Sequence, residues 1–260
     1  MNKTRLALVA AAMSSICALA HAADAAPAPA PAPDWTITGN AGLFSDYRFR
    51  GISQTNKKPA FQGGFDIAHS SGFYVGNWNS NVDAAFYNGA NIEMDFYGGY
   101  KVPVGDVTLD FGALYYYYPG SGTAGLFKID NTEVYVGASY GAFSAKYSVA
   151  VSDFFGVNDS KNCSYLDLGY SYDLGNGFGL NAHLGYQRLK GNAKVVEING
   201  SGPQSSITDY KLGATYTTGN GFVVGLAYIS TNRDLTGGVA AFNNRNISNG
   251  TAVLSLSKSF

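Results

Sequence analysis

The feature that most constrains this chain is an alternation of apolar and polar residues, repeated in segments of about ten residues from Trp35 to Phe260 with a break after each. A period of two sends successive side chains to opposite faces of a strand, so each segment has one apolar and one polar face. In Thr36 to Ile52, read as one strand, Ile37, Ala41, Leu43, Tyr47 and Phe49 oppose Thr38, Asn40, Asp46, Arg48 and Arg50. Phe61, Phe65 and Ile67 then oppose Gln62 and Asp66; Tyr74, Trp78 and Val82 oppose Asn77, Asn79, Asn81 and Asp83; Ile92, Met94, Phe96 and Tyr100 oppose Glu93, Asp95 and Lys101. Val107, Leu109, Phe111 and Tyr115 oppose Thr108 and Asp110; Val134, Val136 and Tyr140 oppose Glu133; Phe143, Tyr147 and Val149 oppose Lys146. Leu166, Leu168 and Tyr170 oppose Asp167; Leu180, Leu184 and Tyr186 oppose Asn181, His183 and Gln187; Tyr210, Leu212 and Tyr216 oppose Asp209 and Lys211. Two further strands, Phe222 to Thr231 and Gly250 to Phe260, alternate less cleanly because Val223, Ile229 and Val253 fall on the polar face.

The breaks alternate in length. Short ones at 70–72, 103–106, 141–142, 174–177 and 218–221 interleave with longer ones, the longest around 189–206 and 232–249. Short turns at one end and long loops at the other are the layout of an outer-membrane barrel, so the expected fold is an all-β antiparallel transmembrane barrel of twelve strands with both termini in the periplasm. Aromatic residues collect near both ends of the apolar faces, as the two interfaces of a bilayer require. Tyr47, Phe49, Phe61, Tyr115, Tyr117, Tyr186, Tyr210 and Tyr228 are assigned to the outer girdle. Tyr74, Tyr100, Tyr140, Phe143, Tyr170, Tyr172, Phe178, Tyr216 and Phe222 are assigned to the inner one.

Composition separates this reading from a soluble sandwich or lipocalin-like barrel, which also alternates. Charged residues make up 13% of the chain against 14% aromatic. A soluble barrel would turn its aromatic face inward and need a charged exterior, whereas an exterior with so few charges suits lipid. After the first 25 or so residues no apolar run is long enough for a helical span.

Residues 1–22 read as a secretory signal, with Lys3 and Arg5 before the apolar stretch Leu6 to Ala20 and a small-x-small site at Ala20-His21-Ala22. Residues 23–34 are an Ala/Pro-rich periplasmic spacer, because the alternation of Ala and Pro favours extended polyproline II and offers nothing to build a core. Residues 35–260 form the barrel. Cys17 leaves with the signal, so Cys163 is alone and reads as an apolar filler. Removing Lys3 and Arg5 from 17 basic residues against 18 acidic ones leaves a modestly acidic chain, which implies no nucleic-acid partner.

The chain ends in Phe260 after Leu254 and Leu256, resembling the C-terminal signal that presents barrels to the outer-membrane assembly machinery; Lys258 stands where an apolar residue is usual and is close enough to the rim to snorkel. The stretch Ser45-Asp46-Tyr47-Arg48-Phe49-Arg50-Gly51-Ile52-Ser53-Gln54, with Pro59 to Gly64 and Gly72 to Trp78 after it, resembles the TorF-type putative porins. That resemblance covers the mature chain and implies an outer-membrane barrel of porin type, with no catalytic residues to carry over.

Selectivity in such a barrel is written by inward ionisable groups, since a charge in a narrow low-dielectric passage acts strongly on a passing ion. The candidate pore-lining set is Asp46, Arg48, Arg50, Asp66, Asp83, Glu93, Asp95, Lys101, Asp110, Glu133, Lys146, Asp167, His183, Asp209 and Lys211. Acidic members outnumber basic ones, and Arg48 with Arg50 forms a positive patch near the outer mouth, so a narrow pore passing small hydrophilic solutes or ions with mild cation preference is expected. Twelve strands is an intermediate size, at which a ladder of interior salt bridges could instead seal the lumen and leave a structural, adhesin or surface-binding role. A lipid hydrolase ranks lower: His69 lies beside a periplasmic turn and His183 faces the lumen as a hydrogen-bonded interior histidine, so neither supplies a base at the outer rim. No cofactor or metal site is assigned; Glu93 and Asp95, two apart on one face, could hold a cation but read first as ion-pair partners of nearby lysine and arginine. The expected partners are the lipid and lipopolysaccharide of the outer membrane, its assembly machinery and small solutes.

Overall fold

The computed structural model describes residues 34–122, 127–195, 197, 201–235 and 245–260. The signal and nearly all of the spacer, with parts of the two longest loops, lie outside the described residues. The strands in chain order are β1 (Trp35–Phe44), the two-residue β2 (Arg48–Phe49) and β3 (Ile52–Ser53), then β4 (Ala60–His69), β5 (Phe73–Asn81), β6 (Ile92–Val104) and β7 (Val107–Tyr117). They continue with β8 (Asn131–Tyr140), β9 (Phe143–Ala150), β10 (Ser164–Gly175), β11 (Phe178–Arg188), β12 (Ser206–Thr217), β13 (Phe222–Thr231) and β14 (Thr251–Ser259).

Apart from the β2–β3 hairpin, all of them form one closed antiparallel barrel of twelve strands in which each pairs with its neighbour in the chain and β14 returns to β1. Closure leaves no unpaired strand edge. It is completed at the last residue, where Gly39 and Phe260 exchange two backbone hydrogen bonds of 2.7 and 2.9 Å. Short turns gather at one end of the barrel and long connections at the other, the order expected.

The outer surface is apolar. Leu212, Phe61 and Leu226 are 67%, 61% and 58% exposed, and Tyr115, Tyr117, Tyr186, Tyr210 and Tyr228 ring the loop end as assigned. At the turn end Tyr140, Phe143, Tyr172, Phe178, Tyr216 and Phe222 are exposed. Lys258 also faces outward and lies over the Phe222 ring, 4.8 Å from its centroid.

Two segments depart from the expected faces. The alternation of 36–52 is not one strand: β1 ends at Phe44, and residues 45–59 fold into the barrel, so Tyr47 and Phe49 belong to the interior and not to the outer girdle. The reason is length, since the run of 36–52 exceeds the nine to eleven residues that a barrel wall requires. On β5 the parity is reversed. Asp66, inward, pairs with Gly76, so Tyr74 and Trp78 point inward and Asn77, Asn79 and Asn81 outward. Those outward amides are paired with neighbouring strands: Asn77 donates to the Asp95 carbonyl at 3.0 Å, Asn79 to that of Gly63 at 3.3 Å, and Asn81 accepts from the Phe61 N–H at 2.7 Å. Val223, Ile229 and Val253 do point inward, and two of them are buried there.

Burial along the inner wall changes from one end to the other. On β1, Thr36 and Thr38 are exposed, Asn40 is half-buried and Gly42 is buried; on β10 the same progression runs from Asp173 through Asp167 to Tyr165. The lumenal wall is therefore more accessible in the turn half, the buried Val223 of β13 excepted, and the loop half is filled with protein.

Candidate functional site

The filling is the connection 45–59. Arg48 pairs with Ser53 and Phe49 with Ile52, leaving Arg50 and Gly51 as a two-residue turn in which both residues have positive φ, 48° and 79°. That is the backbone of a type I′ hairpin, which Gly favours at its second position. A Cβ on Gly51 would stand 2.5 Å from the Thr231 methyl and 2.7 Å from Asp209 Cβ, so the turn is pressed against the β12–β13 wall.

Two arginines anchor the hairpin. Arg48 donates to Asp46 at 2.5 Å, to the carbonyls of Gly51 and Ile247 at 3.0 Å each, and to Thr251 Oγ1 at 2.7 Å. Arg50 reaches across the lumen: it donates to both carboxylate oxygens of Glu133 on β8 and to Gln187 on β11, and lies 4.2 Å above the Tyr165 ring of β10. Asp46 also accepts from Ser53 and Thr55, and Gln54 bonds Tyr87 of the β5–β6 loop. The side chains of Arg48 and Arg50 are 1% and 8% exposed, so they are lumenal but form a buried clamp and not the free positive patch expected at the mouth. On the loop surface, burial lowers the Lys57 ammonium below the usual lysine range, and the adjacent Arg48 and Arg245 add to this.

Below the clamp the remaining charged residues form a half-exposed band. Asp66 accepts from the Tyr97 hydroxyl and Asp110 from that of Tyr74, each at 2.6 Å. Lys101 lies over Tyr74 and Lys146 over Tyr135, at 4.7 and 5.3 Å from the ring centroids. His183 sits between two carboxylates, Nδ1 3.2 Å from Asp167 and Nε2 2.8 Å from Asp209, with Lys211 beside it on β12. Asp209 itself is buried and also accepts from the Tyr165 hydroxyl. Asp83 departs from the expected set: it lies beyond β5 in the loop, paired with Lys58 at 3.2 Å. Glu93 and Asp95 are inward on β6 but, against expectation, make no ion pair among the described residues, and Tyr47 donates to Glu93 at 3.0 Å.

Tyrosines of this band lie along the wall and do not cross the lumen. A Cβ on inward Gly76 would meet the Tyr97 ring at 2.5 Å, and one on Gly99 the Tyr74 hydroxyl at 2.6 Å; Tyr135 covers Gly112 and Tyr165 covers Gly185 in the same way. A glycine on one strand thus receives a ring from a nearby strand, an arrangement that covers the glycine and lays the ring along the wall. Sequence reasoning passed over Gln187, Tyr165 and these glycines as site residues. The available signals were the Arg50-Gly51 pair between two apolar residues and the recurrence of glycine at inward positions.

A family model described as a bacterial protein of unknown function (Gcw_chp) matches residues 28–260; the TorF-type name is not shown by that match. No curated protein matches the sequence. Among solved structures the barrel resembles the NanC porin, with a TM-score of 0.57, 12% identity, and coverage of 86% of this chain and 99% of that one. It also resembles the KdgM porin, with a TM-score of 0.51, 8% identity, and coverage of 86% and 98%. At these identities the likeness establishes a porin-type barrel fold.

Proposed function

The chain belongs to the Gcw_chp family of bacterial proteins, and from that footing we propose that it is a porin-like channel of the outer membrane, passing small hydrophilic solutes or ions by passive diffusion. The observation that carries this reading is that the lumen is obstructed by a docked connection while the tyrosine rings of its wall lie over glycines of neighbouring strands instead of crossing it. A wall built to be sealed would fill the lumen with its own side chains. Residues 45–59 are the constriction, the long connections face the outside, and the more accessible half faces the periplasm.

Mild cation preference is part of the proposal, supported by a small acidic excess among the lumenal charges. Arg48 and Arg50 are spent on Asp46 and Glu133, and in the band below them the carboxylates Asp66, Asp110, Asp167 and Asp209 stand against Lys101, Lys146 and Lys211, with His183 held between two of the carboxylates. Conductance of the refolded protein in a planar bilayer, under a salt gradient, tests both statements. Discrete steps with a cation-selective reversal potential are the expected result. The close packing of the loop half supports a second reading, a sealed barrel whose loops bind a partner; silence from inserted protein, persisting after residues 48–53 are replaced by a short Gly/Ser link, would favour it.

A further inference from the structure

Glu93 and Asp95 occupy successive inward positions at the loop end of β6, and each is 1% exposed. Their surroundings are aromatic. Trp78 and Tyr116 are the register partners of Asp95 on either side, Trp78 packs edge-on against Tyr47, and Tyr87 and Tyr118 belong to the same buried cluster. Tyr47 donates to one oxygen of Glu93, and the Tyr118 hydroxyl faces the same carboxylate. The second oxygen of Glu93 and both oxygens of Asp95 are enclosed and have no hydrogen-bond partner among the described residues.

Nearby protein charges add to the imbalance. The Arg50 guanidinium is engaged by Glu133 and Gln187, and the charges that Asp95 feels most strongly, Glu93 and Glu133, are negative. Two carboxylates in an aromatic enclosure, with three oxygens left over, call for a positive ligand of matching charge. The donors are all oxygen, with no thiol or imidazole in the cluster, which selects a hard cation. We propose that Glu93 and Asp95 form a binding site for a divalent cation of the calcium class. Bound there, the ion ties the inward connection to the β6 wall, because Tyr47 of that connection shares Glu93. The site stands whether or not the barrel conducts.

Terbium is a suitable probe, since it binds calcium-class sites and its emission is sensitised by nearby tryptophan and tyrosine. The full chain is refolded into detergent micelles with Tb³⁺ present and excited through its aromatic residues. Saturable emission that Ca²⁺ displaces is expected, with affinity reduced by about tenfold or more in Glu93→Gln and in Asp95→Asn, since ligand charge sets affinity. Asp66→Asn, lower in the lumen, is expected to bind as the parent does. Ca²⁺ should also raise the melting temperature of the parent and not of the two variants. Emission equal in all proteins, or a folded parent that neither sensitises Tb³⁺ nor responds to Ca²⁺, would overturn the proposal; unaltered stability of the neutral variants without metal dependence would mean that the pair is held by protons.

Discussion

The guanidinium of Arg50, carried on a connection that leaves β1, grips both oxygens of Glu133 on β8 at 2.8 and 2.7 Å. Both groups are almost fully enclosed, so neither is well solvated without the other. Removing one partner of such a pair is costly, about 3–5 kcal/mol, because it strands a buried charge, whereas replacing both together leaves none. Arg50→Ala is therefore expected to lower stability more than Arg50→Ala combined with Glu133→Gln. Denaturant unfolding of the four proteins of this cycle in lipid checks it; additive losses would show that the two residues do not act as a pair.

Replacing Arg48 and Arg50 together by serine removes two lumenal positive charges and leaves the carboxylates of Asp46 and Glu133 uncompensated. Cation preference should rise, read as a shift in reversal potential under a salt gradient, and conductance should increase as the hairpin loses its anchors. An unchanged reversal potential in conducting protein would contradict the constriction.

Gly51 tests the docking of the hairpin by shape alone. Its φ of 79° disfavours any other residue, and a Cβ there collides with Thr231 and Asp209. Gly51→Val should release the turn and raise conductance while the barrel still folds. Gly105→Ala, also at positive φ but with nothing within 4 Å of an added Cβ, should cost only about 1–2 kcal/mol and leave conductance unaltered. Comparable conductance for the two variants would argue against a tightly seated turn.

Leu212 faces outward near the middle of β12, while Thr215 faces the turn half of the lumen. In a bilayer, Leu212→Arg is expected to cost about 2–4 kcal/mol and Thr215→Arg much less. Folding yields into lipid vesicles, followed by the gel shift of folded barrels, separate the cases. Equal tolerance of both would be inconsistent with an apolar solvent around the barrel.

How much of this was legible depends on what each residue contacts. Strands with lipid-type apolar residues outside and charges inside, such as β6 with Phe96 against Asp95 or β11 with Leu184 against His183, can be read from the period of two because the solvent on each side selects the residue type. On β5 that rule misleads. Trp78 points inward because the lumen at its level is a packed interior supplied by Tyr47, and the outward asparagines are tolerated because they bond to the backbones of β4 and β6. Neither fact is visible within the strand itself.

The sequence by itself determined the barrel, its strand number, its turn and loop ends, and the inward placement of most candidate charges, since these follow from alternation and chain length. Tertiary structure alone decided that residues 45–59 turn into the lumen and which charges neutralise each other. Arg50 meets Glu133 and Gln187 from 83 and 137 residues away, and the Asp95 carboxylate has no hydrogen-bond partner among the described residues. Such pairings depend on distances across a closed barrel, which no local pattern of residues encodes.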